Sequence, residues 1–326
     1  MMNSIPARGT AAAAEAGLVR ARKSRVAERF LPLLMVLPSL AAIAIFVYGF
    51  IAWTGYVSLS DWNTLVKNLS FAGLQNYAFL FQDFRFQADL RNTIFFTVLF
   101  IAATMAIGIF LAMMVDQKIR AESFFRNVFI FPMALSFVVT GVVWQWMLNP
   151  STGVNLILKA IGIANVPQWY TSTDIVPKLP LGQIDFGLPV ALIAVVIATV
   201  WQQSGFAMAM YLAGLRGISE DLREAARVDG AGEAQIFFKV ILPQLKPVTV
   251  SLVIILAHIS LKIFDLVYAM TGPGSAFVTD VPGVYMFETT FRGNHYGQGA
   301  AIAIIMLLLV SLLIIPYLYK SLRKEE

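Results

Sequence analysis

Residues 221–247 read DLREAARVDGAGEAQIFFKVILPQLKP and hold eight charged side chains, in a chain of 326 residues of which only 13% are charged. Apolar runs flank the stretch on both sides, so its polarity marks a segment kept in water. Its local pattern predicts two short helices. Ser219 stands where an N-cap belongs, and Glu220 and Asp221 follow in the first turn, where negative charge suits unpaired amides. Leu222, Ala225, Ala226 and Val228 form a small apolar face, and Glu224 and Arg227 are spaced to pair. Gly230 permits a sharp turn. A second run, AGEAQIFFKVIL, packs through Phe237, Val240 and Ile241 and ends at Pro243, and Pro247 opens the next apolar segment. Alone, this stretch reads either as a charged loop or as a hinged helix pair that another protein's groove clasps.

The rest of the chain is built for lipid. Hydrophobic residues make up 58%, with 25 Phe, 13 Met and 6 Trp, whereas a soluble domain carries about a quarter charged residues. The absence of Cys excludes disulfides, thiolate metal sites and cysteine nucleophiles, and two histidines, His258 and His295, cannot build a histidine metal cluster. No metal or cofactor is expected. A phosphate-binding G-x-x-x-x-G-K-[ST] loop is also absent, so any use of nucleotide belongs to a separate subunit.

A helix crosses the hydrocarbon core with about 20 apolar residues. Residues 32–58, 92–115, 127–148, 188–213, 248–270 and 299–319 meet that test, which predicts an all-α membrane protein of six spans. The basic stretch before the first span has the look of a signal peptide, but the apolar run is longer than the roughly 7–15 residues of such a segment. An uncleaved helix is expected. With the N-terminus inside, the four cytoplasmic stretches hold 17 Lys and Arg against 6 in the three outer loops, 59–91, 149–187 and 271–298. Both termini are therefore expected in the cytoplasm, and the net charge of +5 reports topology rather than nucleic-acid binding. The expected organisation is a basic tail at 1–30, a permease domain at 31–320 with the polar loop at 214–247, and a short tail at 321–326.

The polar loop resembles the cytoplasmic signature of permease subunits of bacterial binding-protein-dependent ABC importers, the class typified by maltose and glycerol-phosphate permeases. Its elements stand here as Glu224-Ala225-Ala226, Asp229-Gly230-Ala231 and Leu242-Pro243. Ser219 replaces a Pro common in the family, and a capping Ser serves the same start. FDLVYAMTGPG at 264–274, Thr279, Pro282 and YGQGAAIAIIM at 296–306 resemble the link between the last two helices in the sugar-importing branch, in the first permease of a heterodimeric pair.

The resemblance implies that the loop forms coupling helices inserted into a cleft on a cytosolic ATPase, with Glu224 the acidic anchor and Gly230 the turn. It implies a second permease subunit, two ATPase copies and an extracytoplasmic solute-binding protein as partners, in an inner membrane. Polar residues inside spans are candidates for the path or for packing. Trp201, Gln202 and Gln203 suit a sugar's hydroxyls and C–H face, or join helices. His258, Lys262 and Asp265 lie near the path or the subunit interface, or Lys262 and Asp265 form an internal ion pair. Asn92 and Thr93 cap the second span or contact the cargo, and Trp144, Gln145 and Trp146 line a vestibule or an interfacial belt. A sugar or sugar derivative is the expected cargo. The alternatives are a glycerol-phosphate-like or polyol compound, and, outside this class, a secondary transporter or a membrane-embedded enzyme.

Overall fold

The computed structural model describes residues 35–117 and 121–322, and for residues 318 and 320–322 the backbone alone. The expected tail at 1–30 and the last four residues of the expected C-terminal tail lie outside the described residues. The chain divides into two compact units, residues 1–56 and 57–326. The first contributes most of helix α1, Met35–Ser58, which is wound wide between Ala44 and Gly49.

In the second unit, α2 (Gln75–Gln82) precedes the 33-residue α3 (Phe84–Asp116), whose start is capped by Asp83 accepting from the Phe86 amide at 3.0 Å. Helix α4 (Glu122–Ile130) tightens into a 3₁₀ turn at Phe131–Ala134 and breaks before α5 (Phe137–Met147) with a bend of 99°. Then come α6 (Val154–Ala160), a hairpin of β1 (Ile175–Leu181) and β2 (Ile184–Pro189), and the long α7 (Val190–Arg216). The polar loop forms α8 (Glu220–Val228) and α9 (Glu233–Gln244), and α9 meets α10 (Lys246–Leu261) at 67°. Short α11 (Asp265–Met270) and α12 (Pro282–Phe287, extended by a wide turn at Glu288–Arg292) lead to α13 (Tyr296–Leu322).

Four helices, α1, α3, α7 and α13, are each long and apolar enough to cross a membrane, and counting each bent pair as one span gives up to six. The expected third and fifth spans are thus not single straight helices. In the third, Pro132 withholds an amide and Ser136 starts a new helix by accepting from the Val139 amide at 3.2 Å. In the fifth, α10 stops at Leu261, and residues 262–264 are non-helical.

The hairpin departs from an all-α reading. Its strands are antiparallel, turning at Gly182 and Gln183, with the ladder interrupted between Val176 and Leu179. Pro177 and Pro180 have no amide to give, which a two-stranded ribbon tolerates because each strand has an open edge.

Helices α3 and α7 form the core. Phe96 and Phe100 stack at 5.5 Å on α3, and Leu192, Val195, Met208 and Tyr211 are buried on α7. Lipid is as apolar as these side chains, so close packing rather than escape from water holds such a pair together within the membrane.

Candidate functional site

The polar loop is built as its residues dictate. Ser219 accepts from the Asp221 amide at 3.3 Å and starts α8. The helix ends in a Schellman motif, with the Gly230 amide donating to the Arg227 carbonyl and the Ala231 amide to the Ala226 carbonyl, both at 3.0 Å. Gly230 holds φ at +79°, the left-handed conformation this stop requires. The expected Glu224–Arg227 pair is not formed: Arg227 turns to Glu233 at 3.1 Å and to Glu220 at 4.0 Å. That pairing clips α8 to the start of α9, and Glu233 holds the Arg227 guanidinium above its ordinary range.

Glu224, Ala225 and Asp229 are exposed, whereas Ala226 and Ala231 are half-buried. Leu222 and Val228 are exposed apolar side chains, Val228 to 87%. On α9, Ile236 is the buried contact, with Phe237, Val240 and Ile241 half-buried beside it. Pro243 gives no amide to the carbonyl four residues back, and the turn before it is wound wide, the Leu242 amide donating to Phe237.

The candidate path residues fall into two separate groups. On α7, Trp201 is part-exposed and meets Trp144 of α5 edge-on at 5.8 Å. Gln202 and Gln203 are buried, and Gln202 donates to the Leu135 carbonyl at 2.7 Å, where the α4–α5 break leaves that oxygen outside any helix. Gly205 lies so close to α4 that a Cβ there would stand 1.9 Å from the Phe129 carbonyl oxygen. The second group surrounds the α10–α11 break. His258 is half-buried with Nδ1 unpartnered, and Lys262 and Asp265 are exposed. The break puts Lys262 in the non-helical link after α10 and Asp265 at the start of α11, and no ion pair joins them among the described residues. Among the described residues no hydrogen bond links the two groups; α5 lies between them, Gly141 packing on the Leu266 carbonyl of α11 while Trp144 reaches α7.

A third cluster escaped the sequence reading. At the end of α3 away from α8, Arg85 pairs with Asp280 at 2.6 Å and with Glu288 at 2.9 Å, and its guanidinium covers the rings of Phe277 and Tyr285. Asn92, expected as a cap or a contact to cargo, is buried and donates to the carbonyls of Phe277 and Asp280 at 2.8 and 2.9 Å. Arg91 reaches the Asp185 carbonyl of β2 at 2.9 Å. Burial raises the Asp280 carboxyl above its ordinary value, against the pull of Arg85. Burial likewise raises the Tyr285 hydroxyl. Together these contacts tie α3 to the segment before α13 and to the hairpin.

Residues 104–324 match the family model of the binding-protein-dependent transport system inner membrane component. The chain belongs to that family. A probable ABC transporter permease of Pyrococcus horikoshii is 37% identical over 296 residues, covering 90% of this chain and 96% of its own length. The xylose/arabinose import permease of Haloferax volcanii is 35% identical, covering 85% of this chain and 83% of its own. The fold agrees with that of a bacterial ABC transporter that imports the acidic polysaccharide alginate, at a TM-score of 0.75, 22% identity, and coverage of 93% of this chain and 99% of the other. Helices α8 and α9 lie within the matched residues, whereas Arg85, Arg91 and Asn92 of the third cluster lie outside them.

Proposed function

We propose that this inner membrane transport component is the permease of an ATP-driven importer, carrying a sugar or sugar derivative delivered by an extracytoplasmic binding protein. The observation that carries the reading is α8, a capped, sharply terminated helix that presents Glu224, Ala225 and Val228 outward, uncovered by any of the described residues. A helix of this kind offers a small-residue ridge to a groove on a partner ATPase. The loop residues from Glu224 to Pro243 dock and terminate the two helices. The chain itself breaks no covalent bond. Nucleotide-driven closure of two ATPase copies displaces α8, and the displacement passes into α7 and α10, which leave the loop at its two ends.

The path is proposed to run past Trp201 and the α10–α11 break. Non-helical backbone and charged side chains inside an apolar segment persist only where protein or a water-filled cavity covers them. Lys262, Asp265 and the half-buried His258 meet that condition if a second permease subunit faces them. Both termini are proposed to be cytoplasmic, which puts the α8 end of the bundle inside, in accord with the distribution of basic residues.

Sugar as the class is supported by relatives named for xylose and arabinose, glucose, and trehalose and maltose. A glycerol-phosphate reading has support from a Yersinia pseudotuberculosis permease for sn-glycerol-3-phosphate, 30% identical over 86% of this chain. The test is co-purification with the cognate ABC ATPase, followed by calorimetry of the cognate binding protein with pentoses, hexoses, disaccharides and sn-glycerol-3-phosphate. Glu224→Arg is expected to abolish ATPase capture. Full capture by that variant rejects the docking role, and selective binding of sn-glycerol-3-phosphate rejects the sugar.

A further inference from the structure

The side of α8 that faces the bundle carries an interaction the docking stripe does not require. Asp221, Glu224, Ala225 and Val228 follow i, i+3, i+4, i+7 spacing and are all exposed, whereas Arg223 and Ala226, three apart on the other side, are half-buried. Arg223 donates through Nη1 to Asp116 at 3.1 Å, and the two side chains are only 16% and 17% exposed. Its Nη2 reaches the Leu215 carbonyl at 3.4 Å. Asp116 is the last residue of α3, and Leu215 lies in the last turn of α7.

One guanidinium therefore joins the carboxyl ends of the two helices that form the core. Helix dipoles concentrate partial negative charge at such ends, and a planar fork of donors can reach two acceptors where an ammonium offers a point charge. The neighbouring pairs are wetter. Arg227–Glu233 is 49% and 78% exposed, and Arg216–Glu122 is 46% and 26% exposed, settings in which an ion pair contributes little. Along the chain, α8 joins α7 through the linker from Gly217 to Ser219.

We propose that Arg223 is a positioning residue that transmits displacement of α8 to the α3–α7 pair through Asp116 and the Leu215 carbonyl. The inference rests on the docking role of α8. Because α3 and α7 are packed together along their length, a push delivered at both carboxyl ends moves them as one body. Without Arg223, α8 can follow the ATPase while the linker yields.

The chain contains no Cys, so two introduced cysteines report on it specifically when the partner subunits are also made cysteine-free. Met114 on α3 and Leu312 on α13 are 50% and 75% exposed and accept spin labels. Distances between the labels are measured in the complete importer in nanodiscs, with and without ATP and vanadate as the probe. Vanadate trapping is expected to shift the distribution in the parent protein. In Arg223→Ala, at unchanged ATPase capture, the shifted population falls by about fivefold or more, the lower end of ordinary coupling between sites. Asp116→Asn shows a similar loss, Arg223→Lys a partial one, and the exchange D116R/R223D regains part of the shift. A full shift in Arg223→Ala, or no shift in the parent protein, overturns the proposal. Loss of ATPase capture in Arg223→Ala also overturns it, since the residue then serves docking. Capture retained by Glu224→Arg instead rejects the docking reading on which this one stands.

Discussion

Gln202 and Leu135 are 67 residues apart in sequence and 2.7 Å apart in space, joined by a hydrogen bond from the glutamine amide to the leucine carbonyl. The Leu135 backbone is extended, with φ −77° and ψ 147°, so its oxygen is outside the helical ladder on either side of the 99° bend. Gln202 is 2% exposed and stands on the most buried of the long helices. Its amide N–H bridges the bend, while its Oε1 accepts no hydrogen bond among the described residues.

Gln202→Leu removes that donor and leaves a half-buried carbonyl unpaired, while it also removes the unpartnered Gln202 Oε1, for a net cost of about 1 kcal/mol. The expected result is a lower thermal midpoint of the detergent-purified protein. Trp201→Ala, at a part-exposed position, should alter transport more than stability. A Gln202→Leu protein with the parent midpoint would show that another group takes up the Leu135 carbonyl.

Gly205 supports the same junction by allowing contact. A methyl group there would meet the Phe129 carbonyl oxygen at 1.9 Å and the Ile130 Cα at 2.9 Å, both backbone atoms that no side-chain rotation can move. Gly205→Ala must push α4 away from α7, and overpacking of this sort costs about 1–3 kcal/mol or more. Size-exclusion profiles and thermal unfolding should both deteriorate. An unchanged Gly205→Ala protein would mean that the two helices part without consequence.

Much of the architecture can be read along the chain. Apolar length marks α3, α7 and α13, and the caps of α8 are written in Ser219 and Gly230, since local hydrogen bonding decides them. The two breaks are harder to read because hydropathy averages across them. Their signals are present: Pro132 four residues before Ser136, and Lys262 just ahead of Asp265, charges that suit the end of one helix and the start of the next. The hairpin was hidden by prolines that usually mark loops. The Arg85–Asp280 contact spans 195 residues, a separation at which neither periodicity nor spacing carries information. Among the candidate path residues, Gln202 shows how a polar residue in a span can have a packing role that only the fold discloses.

Asp280 and Asp89 should respond in opposite ways to loss of charge. The Asp280 side chain is fully buried and accepts from Arg85 at 2.6 Å and from the Val281 amide at 3.0 Å. Asp280→Ala takes from the half-buried Arg85 its nearer partner and leaves it Glu288, a change that costs about 1–3 kcal/mol. Asp89 is also fully buried, yet neither carboxylate oxygen accepts a conventional hydrogen bond from a donor group. Asp89→Asn keeps the shape and sets a neutral amide beside the Asp280 carboxyl, where an N–H can donate and a second carboxylate would repel, so stability should be unchanged or higher. Thermal unfolding of the two variants side by side tests this contrast. Equal losses would contradict it.

Gly230 offers a test confined to the docking helix. The glycine has φ +79° and nothing within 4 Å of the position a Cβ would take, so substitution there incurs backbone strain without a clash. Alanine in this left-handed conformation costs about 1 kcal/mol, and asparagine, which visits it more readily, should cost less. The strain falls on the turn between α8 and α9, outside the packed core, so the thermal midpoint of the isolated protein should barely move. ATPase capture should weaken by about fivefold in Gly230→Ala, the equivalent of 1 kcal/mol, and less in Gly230→Asn. Titrating the ATPase against nanodisc-held permease measures both variants in one format. If both bind like the parent protein, the Schellman stop shapes the loop without setting its fit to a partner. If both lose stability as well, the turn is part of the folded core after all.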